Sequence, residues 1–261
     1  MYDVGMTTGD RVLVVATQLT TRDPSRTPHQ RAARSTVARK VLMSISGLII
    51  VLFLMMHLFG NAKLLIPNVG FEEFDEYSHS LRTFLYPILP EKFFLTLFRL
   101  FMLAAAFIHI EAAIKLTFRN KGSGVSGARY LKQRYLAGSF AARTMIWSGI
   151  IIVFGVIAHL LQFTCEIIRV SYPEGVTTVA PHERVVLAFQ TPVVVAAYAV
   201  WMLAVCIHVY HGFYSALCTI GARTGAYSEK LIKVCSVIVA FLVFFGFMAA
   251  PLSIAIGLVT L

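Results

Sequence analysis

The sequence predicts an all-α integral membrane protein with five transmembrane helices, the first four forming a bundle. Of its 261 residues 57% are hydrophobic and only 14% charged. The mean hydropathy of +0.74 is far too apolar for a water-soluble domain of this length. Five apolar segments reach the roughly 20 residues that a helix needs to cross a bilayer core. Four of them carry a histidine within otherwise apolar sequence, where an ionisable group marks a pathway, a pair or a bound cofactor.

Residues 1–40 are polar and hold seven lysines and arginines together with the breaks in "TRDPSRTP". They are predicted to be a flexible basic arm ahead of a transmembrane domain over residues 41–261, because their "VLVVA" run is too brief for a signal-peptide core. The spans are predicted at about 41–66, 93–116, 144–168, 185–220 and 234–258. The fourth is too long for one straight crossing and contains Pro192, so it is expected to start outside the core, tilt, or project beyond the inner surface. Between the first two spans, "FEEFDEYSHSLRTF" is acidic with an aromatic face and reads as a short helix lying on the outer surface. No internal repeat is read in the chain.

Lysines and arginines alternate along these segments. Seven lie in the arm to Lys40, seven between Lys115 and Arg143 and three between Arg223 and Lys233, against three between Lys63 and Lys92 and two from Arg169 to Arg184. The positive-inside rule then puts the N-terminus in the cytoplasm and the C-terminus outside. The net charge of +10 becomes a cytoplasmic collar, suited to anionic lipid or to docking soluble subunits rather than to nucleic acid.

Depth sorts the histidines. At about 1.5 Å of rise per residue, His57 and His159 lie roughly 22–24 Å from the inner boundary, and His109 and His208 roughly 10–18 Å from it. Four consecutive helices thus supply two pairs at two heights. Heme iron takes neutral imidazole from both faces, so a bis-histidine heme needs one histidine from each of two helices at one height. Gly47, Gly60, Gly149, Gly155 and Gly212 leave room for flat macrocycles or serve close helix packing.

Cysteine usage leaves a second chemistry open. Cys165, Cys206, Cys218 and Cys235 form no CxxC pair, which argues against a disulfide framework. A Rieske-type 2Fe–2S cluster needs two histidines and two cysteines. The inner half offers His109, His208 and His211 beside Cys206, Cys218 and Cys235, and the outer half offers Cys165 with its two histidines. Cys206, however, points about 200° around the helix from His208. The plainer reading makes these cysteines small apolar packing residues.

The motifs "HLFGNAKLLIP", "FIHIEAAIKLTFRN", "IAHLLQFT" and "HVYHGFYSALCTIG", taken in this order and spacing, resemble those of the transmembrane cytochrome b subunit of succinate dehydrogenases and fumarate reductases. The likeness is to the single-chain, five-helix, di-heme type of actinobacteria and other Gram-positive bacteria, and it covers about residues 35–260. The resemblance implies two bis-histidine hemes b, the outer held by His57 and His159 and the inner by His109 and His208. It implies a multi-pass subunit of the bacterial plasma membrane that anchors a flavoprotein subunit and an iron–sulfur subunit. Electrons from succinate oxidation would pass through it to menaquinone or ubiquinone. The succinate site would lie on a partner, since the chain has no nucleotide-binding glycine loop and no large soluble region. A homo-oligomer of the complex stays open.

A quinone site needs an apolar slot with hydrogen-bond donors for two carbonyl oxygens. Lys40, Ser44, Ser46, Arg143 and His211 are the candidates, against a competing reading as interfacial anchors or ordinary helix contacts. Glu111 and Lys115, at i and i+4, read as an internal ion pair near the membrane edge. Two other classes remain. One is the quinone module of a different redox complex, of the formate dehydrogenase or hydrogenase type. The other is a proton-coupled transporter with a histidine relay, against which the absence of a repeat counts.

Overall fold

The structure, a computed structural model, describes residues 35–122 and 140–261, apart from the side chains of residues 119–122 and 140–143. The compact unit Lys40–Leu261 carries nearly all of it, and of the unit Met1–Arg39 only residues 35–39 are described. There Ser35 Oγ accepts a hydrogen bond from the Ala38 amide at 3.0 Å, satisfying one free N–H of a new helix. That cap starts α1 (Thr36–Ala62) at residue 36 rather than 41.

A 3-10 turn at Lys63–Leu65 leads into α2 (Gly70–Thr83), the acidic helix expected between the first two spans. The order continues with α3 (Phe93–Gly122), α4 (Phe140–His159), α5 (Pro181–Phe189), α6 (Pro192–Thr219) and α7 (Ala226–Ala255). Five of these helices are long and apolar enough to span a membrane, and no strand occurs among the described residues. Large apolar side chains such as Phe107, Trp147, Val193 and Phe245 stand exposed along them. Hydrocarbon is the solvent such a surface needs, and helices meet its demand that every backbone polar group be satisfied internally. The chain is a multi-span, all-α membrane protein.

Three predicted spans are corrected. The segment over 185–220 is not one helix but α5 and α6, broken at Gln190 and Thr191. Pro192 has no N–H to donate and takes the first helical position of α6, where none is required. The third span stops at residue 164 rather than 168, closing in one π-type turn (Leu160–Thr164). Beyond it the backbone turns through Glu166 and Ser171, both at positive φ. The last helix starts at Ala226 rather than 234 because Ser228 Oγ accepts from the Thr224 and Gly225 amides, each at 2.9 Å. Hydropathy registers the hydrocarbon-crossing part of a helix and not its polar ends.

We call the membrane side at which α1 begins the near side, and the other the far side. The closest backbone packing joins α6 to α7 and to α4, whereas α1 and α3 approach the other spans mainly through side chains. Met202, Val205 and Val209 of α6 interlock with Val243 and Met248 of α7. On the far side, Val185, Val186 and Phe189 of α5 plug the end of the bundle against Leu64, Ala250 and Ile254.

Polar ties hold that plug. His182 meets Asp75 of α2 at 2.7 Å and stacks on Phe71. Lys63 pairs with Glu73 at 2.7 Å. Buried Arg184 pairs with Glu166 at 2.8 Å and donates to the carbonyls of Phe163 at 3.0 Å and Val179 at 3.3 Å. One guanidinium thereby joins α5, the π turn and the far-side loop. Arg184→Leu should destabilise the protein by about 2 kcal/mol, discounted from the loss of a fully buried pair because Glu166 is partly exposed. Thermal unfolding in detergent checks this, and Glu166→Gln should cost less in the Arg184→Leu background than alone.

Candidate heme-ligating histidine pairs

Each of His57, His109, His159 and His208 is carried by a different span, and the structure brings them together in the two pairs that depth predicts. The ring centroids of His57 (α1) and His159 (α4) are 6.0 Å apart at 85°. Those of His109 (α3) and His208 (α6) are 6.2 Å apart at 62°. Two imidazoles on opposite faces of one metal, each bonded at about 2 Å with the ring radius added, have centroids roughly 6 Å apart. Both separations meet that requirement.

Hydrogen bonds fix which nitrogen is free. His109 Nδ1 lies 3.1 Å from the Met43 carbonyl oxygen. A carbonyl only accepts, so Nδ1 carries the proton and Nε2 keeps its lone pair. Ser46 Oγ stands 3.4 Å from the same nitrogen, having donated its own proton to Leu42 at 2.7 Å. His208 repeats this arrangement. Its Nδ1 is 3.1 Å from Ser148 Oγ, which donates to the Met145 carbonyl at 3.0 Å, and the ring also bonds the Met145 backbone. At His159 the Tyr198 hydroxyl, 3.4 Å from Nδ1, gives its proton to Gln162 Oε1 at 2.9 Å and so accepts from the ring. His57 is clasped by Phe53 at 5.4 Å and Phe247 at 5.6 Å. Three of the four rings thus keep the Nε2 lone pair free, with the other nitrogen held in the way that suits a metal-binding histidine.

The matching clips expose a sequence feature the linear reading missed, and correct its expectation of no internal repeat. "MSISGLIIVLFLMMH" (43–57) and "MIWSGIIIVFGVIAH" (145–159) share seven of fifteen residues at an offset of 102, including the methionine, the Ser-Gly pair and the histidine. In each copy the methionine carbonyl and the serine hold the histidine of the next span. In the first copy the glycine after the serine clears space for that ring, since a Cβ on Gly47 would meet His109 at 3.1 Å, whereas a Cβ on Gly149 would make only ordinary contact with His208 at 3.7 Å.

Further polar groups beside the far pair also escaped the sequence reading. Tyr198, Trp201 and Gln162 surround His159, with Trp201 at 5.7 Å between centroids. Trp201 Nε1 and Gln162 Nε2 are buried with no partner among the described residues. Such donors fit a ligand that presents oxygen acceptors.

The other candidates are dispersed. Ser46 is buried and engaged with His109. Ser44 is buried in α1, Lys40 is exposed and His211 half-buried. Arg143 lies among the residues whose side chains are not described. Glu111 and Lys115 form the expected ion pair. Cys165 is exposed, Cys206, Cys218 and Cys235 are half-buried, and all four are free thiols. Among the described residues no three histidine, cysteine or acidic side chains gather as a metal site. No four-ligand set of the Rieske kind is thus assembled among the described residues, whereas each histidine pair brings two imidazoles together.

Gly155 faces the Trp201 indole so closely that a Cβ there would collide with Nε1. Gly155→Ala should displace the ring and destabilise by about 1–3 kcal/mol through overpacking. Tryptophan fluorescence in a Trp147→Phe background, which isolates Trp201, should shift together with the melting temperature.

Comparison of the chain with models of protein families, with curated proteins and with solved structures finds no match.

Proposed function

We propose that this chain is the membrane anchor and electron-transfer subunit of a succinate:quinone oxidoreductase, holding two bis-histidine hemes b. The observation that carries the reading is the pairing of His57 with His159 and of His109 with His208, 6.0 and 6.2 Å apart, on four separate spans. The family resemblance of the four motifs adds the partners: a flavoprotein bearing the succinate site and an iron–sulfur subunit.

In this reading the near side is cytoplasmic, as the basic segments suggest, and the C-terminus lies outside. The hemes supply two one-electron stations stacked across the membrane. Met43, Ser46, Met145 and Ser148 hold the near ligands in the iron-binding tautomer, and Tyr198 does so for His159. Gln162 and Trp201 have donors left over for the propionate oxygens of the far group. Exposed Lys40 at the near end of α1, with Arg143 and His211, remains the candidate set for quinone carbonyls. The lysines and arginines between the second and third spans form the docking collar.

Purification of the complex and a pyridine-hemochrome titration test this. Two hemes per flavin with succinate:quinone activity are expected. His57→Ala and His159→Ala should each abolish one and the same low-spin signal, and His109→Ala and His208→Ala the other. Retention of both signals in any of these variants refutes the pairing. A molybdenum or nickel subunit in place of the flavoprotein would move the chain to another redox complex with the same heme site. The Met43–His57 repeat removes one argument against a transporter, since transporters too are built from duplicated helix sets. A purified protein without any redox pigment would favour that reading.

Truncating the side chains of Arg129, Lys132 and Arg134, which lie outside the described residues, should weaken retention of the soluble subunits, most at low salt and less as rising salt screens the attraction. Subunit stoichiometry across a salt series measures it.

A further inference from the structure

The duplicated Met-x-x-Ser-Gly segment treats the two heme levels differently. Both near ligands are held by it, His109 through Met43 and Ser46 and His208 through Met145 and Ser148. Neither far ligand is. His57 sits between aromatic rings and His159 against a phenol.

Resting on the two-heme reading, we propose that Ser46 and Ser148 are positioning residues that set the redox potential of the near heme and leave the far one untouched. Each serine spends its proton on a backbone carbonyl of its own helix, a common habit of serine within helices. Its oxygen then faces the histidine Nδ1–H as a second acceptor beside the methionine carbonyl. Acceptors on the outer nitrogen make an imidazole a stronger donor to its metal. A stronger donor favours ferric over ferrous iron and lowers the potential. Two such clips act on one iron from opposite faces, each through its own helix pair, so their effects should add. The Ser148 oxygen is at 3.1 Å and the Ser46 oxygen at 3.4 Å. Hydrogen bonds weaken over that interval, so Ser148 should carry the larger share.

Optical redox titration of the whole complex tests this, with the near signal assigned in the His57→Ala variant. Ser148→Ala should raise the near midpoint, Ser46→Ala should raise it less, and the double variant should show the sum. Each tenfold loss of ferric preference appears as 59 mV for one electron. Ser148→Thr and Ser46→Thr, which keep the oxygen, should return the midpoint toward the wild-type value, while the far midpoint stays fixed throughout. If an alanine variant loses the near heme and keeps the far one, retention of that heme at the wild-type midpoint in the threonine variant supports the proposal. Loss of it there too overturns the proposal. An unmoved near midpoint in the double variant, or an equal movement of both midpoints, also overturns it. Fewer than two hemes in the wild-type complex defeats the two-heme reading itself, and this proposal falls with it.

Discussion

An imidazole inside hydrocarbon must satisfy both of its nitrogens, and much of this structure follows from how it does so. Water is absent, so the donor nitrogen has to find a fixed acceptor on a neighbouring helix, and the other is left to bind something that prefers a lone pair. For the near pair the acceptors are the Met43 carbonyl, 3.1 Å from His109 and backed by Ser46, and the Ser148 hydroxyl, 3.1 Å from His208 beside the Met145 backbone. A side chain can approach another helix's carbonyl only where that helix is thin. In α1, Gly47 provides the thin place. There the Ser-Gly pair is one device: the serine occupies the local carbonyl and the glycine admits the ring.

The far level solves the same problem with side chains. Tyr198 takes the His159 proton and passes its own to Gln162, which lies in the π turn that follows His159. That turn exchanges the regular helical pattern for an i to i+5 bond from Cys165 to Leu160 at 2.8 Å, and π turns of this kind recur beside functional residues. The Phe163 carbonyl within it is capped by Arg184. The ligand shell of the far pair therefore continues without interruption into the polar ties that seal the end of the bundle.

How much of this was legible in the sequence follows from which signals are local. The five spans were, because hydrocarbon length and apolar composition are properties of contiguous sequence. The histidine pairs were as well, because helical rise converts residue number into depth. The break before Pro192 was half legible: proline flagged the irregularity, but only the structure distinguishes a tilted helix from two helices. Ser46 was left between a quinone-site donor and an ordinary helix contact, because its place at the start of a span says nothing about which way it turns. Tyr198, Gln162 and Trp201 sit on two helices with no shared spacing, and their convergence is purely tertiary. The repeat was there to be read, yet eight substitutions in fifteen positions and a separation of 102 residues concealed it until two serines were found doing the same task.

In the duplicated segment, His57 meets its own counterpart, His159. Contacts between equivalent positions are what a two-fold axis produces, and they are the signature of an isologous dimer. A half carrying this segment, joined to a second copy of itself, would bring two histidines together at the far level. Neither half alone supplies both. Fusion into one chain frees the halves to diverge, and the far level, with an aromatic clasp on one side and a tyrosine on the other, is where they have done so.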